Sequence, residues 1–219
     1  MLELAAALVL AAAPCETGAV RVLSDFPGAS RSACTRDGER FVLSIAPEPG
    51  AANPSPWYAA AIETEVAGEI RLTLEYEQAP HRYAPWIRHE DGAWERLPAG
   101  AADTRRDGQE AILTFNVEAG RTLLAAQPLR TVEDYDRERE ALVIGPQDEW
   151  RVFGRSVEDR PLHALVAPPL EAGAGWVVLI GRQHPPELPG ADAFDGFFET
   201  ALALRAEGRW REGLIAIPL

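Results

Sequence analysis

The feature that most constrains the fold is a run of five apolar residues, Trp176 to Ile180, in which polar and apolar positions do not alternate. A run of this length predicts a strand buried on both faces, as in the middle of a mostly parallel sheet. Gly181 follows the run and ends the strand. Because open α/β folds hold ligands at the carboxyl ends of their strands, the residues after Gly181 are expected to lie near a site.

A histidine and a glutamate, His184 and Glu187, flank two prolines in the segment after this strand. Pro185 disfavours the helical region for His184, and both prolines have a fixed φ, so the pair is not an ordinary helical i, i+3 couple. A polyproline-like segment would place the two side chains on the same side of the backbone, and a tight turn would bring them closer still. Imidazole and carboxylate are ligands of Zn²⁺, and one more histidine with a water would complete a catalytic site. The alternative is an exposed loop whose polar residues face water.

The charge balance excludes several classes of partner. The formal net charge is -13 and the sequence pI is about 4.8, which argues against nucleic acid and anionic membrane surfaces because both require a basic face. The chain contains no lysine, so Schiff-base chemistry and a P-loop are excluded within it. A hydrophobic content of 47% is enough for the core of one large domain or two modest ones.

The N-terminal segment has some features of an export signal. An apolar run from Leu4 to Ala13 is followed by small residues, and it is shorter than the roughly 20 residues needed to span a bilayer. Glu3 and the lack of a positive charge argue against export, and Pro14 spoils a lipoprotein-type cleavage site before Cys15. We expect residues 1–19 to be a signal segment of a periplasmic or secreted protein, with a cytoplasmic protein as the alternative.

The chain has two cysteines, Cys15 and Cys34, and no C-x-x-C pair. A cysteine zinc knuckle and a redox dithiol are therefore not expected. The two thiols could form one disulfide if the protein is exported and the region around Cys15 survives processing.

Residues 20–130 have the pattern of an all-β module, which predicts an antiparallel β-sandwich. The tryptophans of this region are interpreted as core residues rather than a ligand platform, and His81 and His89 as solvated loop residues. The strand candidates, which Gly, Pro and Asp-Gly turn signals separate, are Arg40–Ile45, Trp57–Val66, Glu69–Tyr76, Ala111–Val117 and Arg121–Ala126.

Residues 131–219 are predicted to mix helices and strands, with the module boundary close to Arg130. Thr131, with Asp134 at the third position, predicts the start of a short solvated helix. A helix from Ala191 to about Glu207, ended by Gly208, is expected between two parallel strands. His163 is interpreted as structural because its strand neighbours are apolar. The strand candidates are Ala141–Ile144, Arg151–Val157, Leu162–Ala167, with a hairpin joining the last two, Trp176–Ile180 and Gly213–Leu219.

Three segments, GRSVEDRPLHALV, WVVLIGRQHPPE and GLIAIPL, resemble the start of the catalytic domain of zinc metallocarboxypeptidases. The similarity is greatest to the bacterial relatives of the cytosolic-carboxypeptidase branch. In that branch a β-sandwich precedes the peptidase domain, and NPSPWYAAAIETEVAGEIRLTL and HRYAPWIRHEDGAWERLP look like parts of it. Asp159 stands where the family's hairpin motif G-x-S-x-E-G-R-P has its second glycine. The residues that match this motif are Gly154, Ser156, Glu158, Arg160 and Pro161.

The resemblance implies a function and a ligand set. His184 and Glu187 map onto two of the three zinc ligands of the family. The third ligand, a histidine, the arginine that binds the substrate carboxylate and the general-base glutamate would all lie downstream of this chain's last residue. The implied enzyme uses Zn²⁺ to release C-terminal amino acids from a peptide or protein substrate, and none of its proton-transfer residues would lie in this chain.

The expected fold class is therefore an α+β or α/β chain of two modules. An antiparallel β-sandwich at residues 20–130 would precede the incomplete first part of a mixed carboxypeptidase sheet at residues 131–219. We expect the 219 residues alone to be inactive, and residues 214–219 to form an exposed sheet edge, because a hairpin and one crossover leave too little helix to cover the strands.

Two rival interpretations come from other classes of protein. In the first, the β-sandwich is a non-catalytic binding or interaction module, and the second part of the chain is a degenerate peptidase scaffold. In the second, the chain is a structural domain in which H-x-x-E occurs by chance.

Overall fold

A computed structural model describes residues 15–29, 32–47, 54–184 and 186–218. The described residues form an α+β fold with three sheets and two α-helices. The chain divides into two compact units, an N-terminal unit that ends at Leu129 and a C-terminal unit that begins at Arg130. No helix in these ranges is both long and apolar enough to cross a membrane.

The described residues of the N-terminal unit form strands and one short 3₁₀-helix, Arg106–Gly108. The five predicted strands are present in this unit with bounds that agree to within about two residues, and six further strands were not predicted. The strands are β1 (Cys15–Thr17), β2 (Val20–Leu23), β3 (Ser32–Asp37), β4 (Arg40–Ile45), β5 (Ala59–Thr64), β6 (Gly68–Tyr76), β7 (Trp86–His89), β8 (Glu95–Arg96), β9 (Ala102–Arg105), β10 (Glu110–Val117) and β11 (Gly120–Ala125).

These strands form two sheets. The first has the order β1-β2-β5-β11-β7-β8, and its neighbouring strands are all antiparallel. The second has the order β3-β4-β6-β10-β9, and here β4 and β6 run parallel, which differs from the expected wholly antiparallel arrangement. The physical reason is the connection: the chain passes through β5 of the other sheet between β4 and β6, so it returns in its original direction.

Both sheets contribute side chains to one hydrophobic core. A valine, leucine, isoleucine or phenylalanine side chain contributes roughly 1.5–3 kcal/mol to the free energy of unfolding when folding removes it fully from water. Trp57 is partly buried and packs against this core. The innermost residues, each at most 1% exposed, include Val22, Ile62, Leu43, Leu72, Leu74, Leu113 and Leu124.

Cys15 and Cys34 form a disulfide, and their Cα atoms are 5.7 Å apart. Cys15 begins β1, which pairs with β2, so the disulfide joins an edge of the first sheet to β3 of the second. β1 lies within the segment 1–19 that the sequence marks as a candidate export signal. Residues 1–14 of that segment lie outside the described residues.

The C-terminal unit contains one sheet and both α-helices. Its sheet has the order β12-β13-β15-β14, in which β14 and β15 are parallel and the other neighbours are antiparallel. The expected hairpin and the expected strand, helix and strand unit are both present. The elements are α1 (Val132–Ala141), β12 (Glu149–Arg155), β13 (Pro161–Ala167), β14 (Trp176–Ile180), α2 (Leu188–Ala206) and β15 (Gly213–Ile217).

Helix α1 begins as its sequence predicts. The Thr131 side chain accepts a hydrogen bond from the backbone N–H of Asp134, and the Asp134 carboxylate accepts one from the backbone N–H of Thr131. None of its residues is buried. The strand predicted at Ala141–Ile144 is wrong, because the helix continues to Ala141 and the next residues have no strand partner in the described chain. Leu142 and Ile144 pack against the core, whereas Val143 is exposed.

Strand β14 differs from the prediction in its surroundings. It lies at the edge of the described sheet, not in the middle. Val177 and Leu179 pack against the core beneath α2, whereas Trp176, Val178 and Ile180 are 50–56% exposed. A run without alternation shows that both faces of a strand are apolar, but it does not show that both are covered.

Strand β15 was expected to form an exposed edge, and the structure places it between β13 and β14 instead. Leu214 is fully buried, and Ile215 and Ile217 are partly buried. The parallel pairing with β14 and the antiparallel pairing with β13 explain this burial. Leu219 lies outside the described residues.

Helix α2 covers one face of the sheet with Phe194, Phe198 and Ala201. It begins three residues before the predicted start, with Pro189 in its first turn, a position that does not need a backbone N–H. It ends in a Schellman motif: Gly208 has φ +69°, its N–H donates to Arg205, and the N–H of Arg209 donates to Leu204 at 2.8 Å.

Candidate functional site

The segment that carries His184 and Glu187 leaves the sheet at Gly181. The Gly181 N–H donates to the Ile217 carbonyl at 2.8 Å, so the segment is still held to β15 at this point. A Cβ atom at position 181 would lie 3.1 Å from the Phe194 ring. Glycine therefore lets the chain pass close to α2 as it leaves the sheet.

His184 and Glu187 form a tight turn. The Glu187 N–H donates to the His184 carbonyl at 3.0 Å. Glu187 is the N-cap of α2, but its side chain does not cap the helix. Its carboxylate returns to His184, with Oε1 2.8 Å from Nδ1 and Oε2 accepting from the backbone N–H at 3.3 Å. Of the two arrangements that the sequence leaves open, this is the tight turn; Pro185 lies outside the described residues.

The two side chains meet at the surface of the C-terminal unit. The His184 side chain is 70% exposed and that of Glu187 is 52% exposed. The hydrogen bond from the His184 side chain, helped by the His184 backbone N–H, lowers the pKa of the Glu187 carboxyl. The carboxylate is therefore ionised at neutral pH, the form in which it binds metal ions.

The donor atoms fit part of a zinc site. With zinc bonds of about 2.0–2.2 Å and tetrahedral angles, the nitrogen and oxygen donors of two ligands lie roughly 3.4 Å apart. The observed separation of Nδ1 and Oε1 is 2.8 Å, so the exposed side chains would need to open only slightly. Catalytic zinc sites use three protein ligands. Within the described ranges, no cluster of three or more His, Cys, Asp or Glu side chains is arranged to hold a metal ion.

Two cavities of the C-terminal unit lie elsewhere. One of about 390 Å³ has walls from Arg130, Tyr135, Trp150 and Phe198. The other, of about 350 Å³, lies between α1 and the β12–β13 hairpin and is mainly apolar. His184 and Glu187 line neither cavity. Their side chains instead face solvent.

His163 lies on β13 and borders the second of these cavities. Burial, together with the positive charge of Arg139, lowers the pKa of the His163 imidazole, and Asp136 opposes this effect. Among the described residues, His163 does not join His184 and Glu187 in a metal-binding cluster.

His81 and His89 are less exposed than the sequence predicts, and only His81 lies in a loop. His81 is half-buried, its Nδ1 lies 2.7 Å from the Tyr76 hydroxyl, and its ring stacks on Tyr58. His89 is the last residue of β7, and its Nδ1 lies 3.3 Å from the Thr122 hydroxyl. Turn residues around them indicated loops, but packing across the sheets decided their exposure.

Sequence comparison gives no match to a protein-family model and none to a curated protein. Comparison of the fold with solved structures does give matches. A metallo-carboxypeptidase from Burkholderia cenocepacia matches 91% of this chain with a TM-score of 0.75 and 18% identity. A metallo-carboxypeptidase from Pseudomonas aeruginosa, in complex with (2-guanidinoethylmercapto)succinic acid, matches 90% with a TM-score of 0.68 and 18% identity.

The chain spans about half the length of these structures, 55% of the first and 54% of the second. At this identity the likeness shows a shared fold. These fold neighbours are thus metallo-carboxypeptidases. Among the described residues, His184 and Glu187 are close together and of the types that bind metal ions.

Proposed function

We propose that this chain is part of a zinc-dependent metallocarboxypeptidase of the cytosolic-carboxypeptidase-like bacterial branch. In this proposal the N-terminal unit is the β-sandwich that precedes the peptidase domain, and the C-terminal unit is the first part of that domain. The observation that carries the proposal is the approach of His184 Nδ1 to Glu187 Oε1, 2.8 Å, directly after a strand of a carboxypeptidase-like fold.

His184 and Glu187 would be two of the three protein ligands of the metal. A bound zinc ion would supply Lewis acidity and an activated water for hydrolysis. The imidazole would bind through Nδ1 as the neutral tautomer that carries its proton on Nε2, because a ligating histidine is neutral. Neither residue would transfer a proton to the substrate, which is the C-terminal end of a peptide or protein.

The rest of the catalytic machinery belongs to the remainder of the proposed enzyme. The solved structures are nearly twice as long as their matched parts. We place the third ligand, the general-base glutamate and the arginine for the substrate carboxylate in that remainder. The 219-residue chain alone is then expected to show no peptidase activity.

A calorimetric titration of the 219-residue chain with zinc tests whether His184 and Glu187 are metal ligands. His184→Ala and Glu187→Ala should each weaken zinc binding by more than about tenfold, the smallest loss typical even of residues that only support a ligand. The matched controls, His163→Ala and Glu207→Gln, lie in the same unit and should keep the affinity of the wild-type chain. Equal affinity of the wild-type, His184→Ala and Glu187→Ala chains would favour the chance-motif interpretation.

A periplasmic or secreted location is part of the proposal. The disulfide between Cys15 and Cys34 supports it, because disulfides persist in oxidising compartments. Since Cys15 lies in a strand paired with β2, any segment removed on export would end before Cys15.

A further inference from the structure

Arg130 contacts the ligand-bearing segment on both sides of the turn. Upstream, Arg182 Nη1 donates to the Arg130 backbone carbonyl at 2.8 Å, two residues before His184. Downstream, Arg130 Nη1 donates to Asp195 Oδ2 at 2.6 Å, within α2. We call Arg130, Arg182 and Asp195 the Arg130 clamp. Its two hydrogen bonds lie before and after the turn that contains His184 and Glu187.

Arg130 is itself held in place. Its side chain is 12% exposed, and Nη2 pairs with the Glu138 carboxylate of α1. The guanidinium lies 4.3 Å from the centre of the Tyr135 ring, also in α1. Helix α1 is fixed at its start by the Thr131–Asp134 capping box. The clamp therefore connects the turn to a helix that does not depend on the turn for its own structure.

Among the described residues, the two side chains of the turn have few hydrogen-bond partners. The His184 and Glu187 side chains are largely exposed, and their hydrogen bonds in the structure are to each other and to the turn backbone. Charge-assisted bonds such as that between Arg130 and Asp195 are stronger and more directional than neutral ones. The clamp is thus a charge-assisted connection between the residues on either side of the turn and the body of the unit.

We propose that Arg130 is a positioning residue for the metal ligands: it holds the segment from Arg182 to Asp195 so that His184 and Glu187 converge. This inference rests on the proposed function only for the identity of the ligand. Arg130 touches neither donor atom and acts through Arg182 and Asp195. Residues that hydrogen-bond directly to metal ligands typically change metal affinity by 10–100-fold when they are lost, and we expect a residue one contact further away to act at the lower end of this range.

The test removes each side of the clamp separately. Asp195→Asn keeps the shape of the side chain and removes its charge, and Arg182→Gln shortens the side chain and removes the guanidinium that donates to the Arg130 carbonyl. The matched controls are Asp192→Asn, at an exposed position of the same helix, and Arg209→Gln, an exposed arginine paired with Glu207. Circular dichroism and urea unfolding of the full chain show whether each variant is folded.

The first measurement needs no metal. Hydrogen exchange by NMR reports the His184 N–H, which donates to Glu187 Oε2, and the Glu187 N–H, which donates to the His184 carbonyl. Exchange at both amides should be several-fold faster in Asp195→Asn and Arg182→Gln than in the controls. Unchanged exchange in both folded clamp variants would overturn the proposal.

The second measurement is the absorption spectrum and affinity of Co²⁺ added to the same variants. Asp195→Asn and Arg182→Gln should bind about tenfold more weakly than the controls, and Asp195→Glu, which restores the carboxylate, should recover part of the loss. Clamp variants with the affinity of the controls would also count against the proposal. If neither the wild-type chain nor His184→Ala binds the metal, the proposed function fails, whereas the exchange measurement still decides on the clamp.

Discussion

The two units of the chain are stabilised in different ways. In the N-terminal unit, both sheets contribute to one core, and a disulfide links β1 to β3. In the C-terminal unit, α2 covers one face of a four-stranded sheet, while Trp176, Val178 and Ile180 on the edge strand are about half-exposed. The smaller core of the C-terminal unit is supplemented by ionic contacts with low exposure.

The clearest of these contacts is between Arg205 and Asp148, whose side chains are 5% and 6% exposed. Arg205 also donates to the carbonyls of Pro168 and Glu212. Together with the Arg130 clamp, this pair connects the helices to the loops around the sheet. The unit that carries the candidate metal ligands therefore depends more on individual polar residues than the N-terminal unit does.

The largest expected effect comes from Arg205→Met. The change leaves the Asp148 carboxylate buried without its counter-charge, which typically costs about 3–5 kcal/mol. Urea unfolding followed by tryptophan fluorescence should show this loss in the C-terminal unit, which holds Trp150, Trp176 and Trp210.

The control for this comparison is Arg209→Met. Arg209 pairs with Glu207, but both side chains are more than half-exposed, so the loss should be below about 1 kcal/mol. Equal losses of stability in Arg205→Met and Arg209→Met would contradict the view that the C-terminal unit depends on its buried ionic contacts.

An intermediate effect is expected when the disulfide of the N-terminal unit is removed. Cys15 and Cys34 are 19 residues apart, and closing a loop of this length restricts the unfolded chain by about 3 kcal/mol. In the double variant Cys15→Ala/Cys34→Ala, the free energy of unfolding of the N-terminal unit, measured with guanidinium, should fall by that amount. The unfolding transition of the C-terminal unit should not change. A loss shared by both units would contradict the view that each is stabilised separately.

The smallest expected effect is the pH dependence due to His81 in the N-terminal unit. Burial lowers the pKa of this imidazole in the folded state, so below the unfolded value of about 6.5 the unfolded chain binds more protons. Stability should therefore be complete above about pH 6.5 and fall as the pH drops toward the lowered pKa. Tyr58 and Tyr76 stay protonated in this range because burial raises the pKa of both hydroxyls.

Unfolding midpoints measured from about pH 7.5 to about pH 5 check this direction, since they cover the unfolded histidine pKa near 6.5. His81→Gln should reduce the pH dependence of the N-terminal unit and leave that of the C-terminal unit unchanged. If the stability of His81→Gln depends on pH as strongly as that of the wild-type chain, other titratable groups cause the pH dependence.

Much of the candidate site could be predicted from the sequence, because its two side chains are three residues apart. The prolines restrict the backbone between His184 and Glu187, so convergence followed from local geometry. Arg130 could not be found in this way: it lies 52 residues before Arg182 and 65 before Asp195. No local pattern identifies partners over such distances.

The sequence by itself determined the features that depend on neighbouring residues. They include the start of α1 at its Thr131 cap, the end of α2 at Gly208 and the extent of β14. The tertiary structure decided which faces are covered: it placed β14 at the edge of the described sheet, paired β4 with β6 in parallel and stacked the half-buried His81 ring on Tyr58. The physical reason is that backbone preferences act over a few residues, whereas burial and strand order depend on contacts between segments distant in the chain.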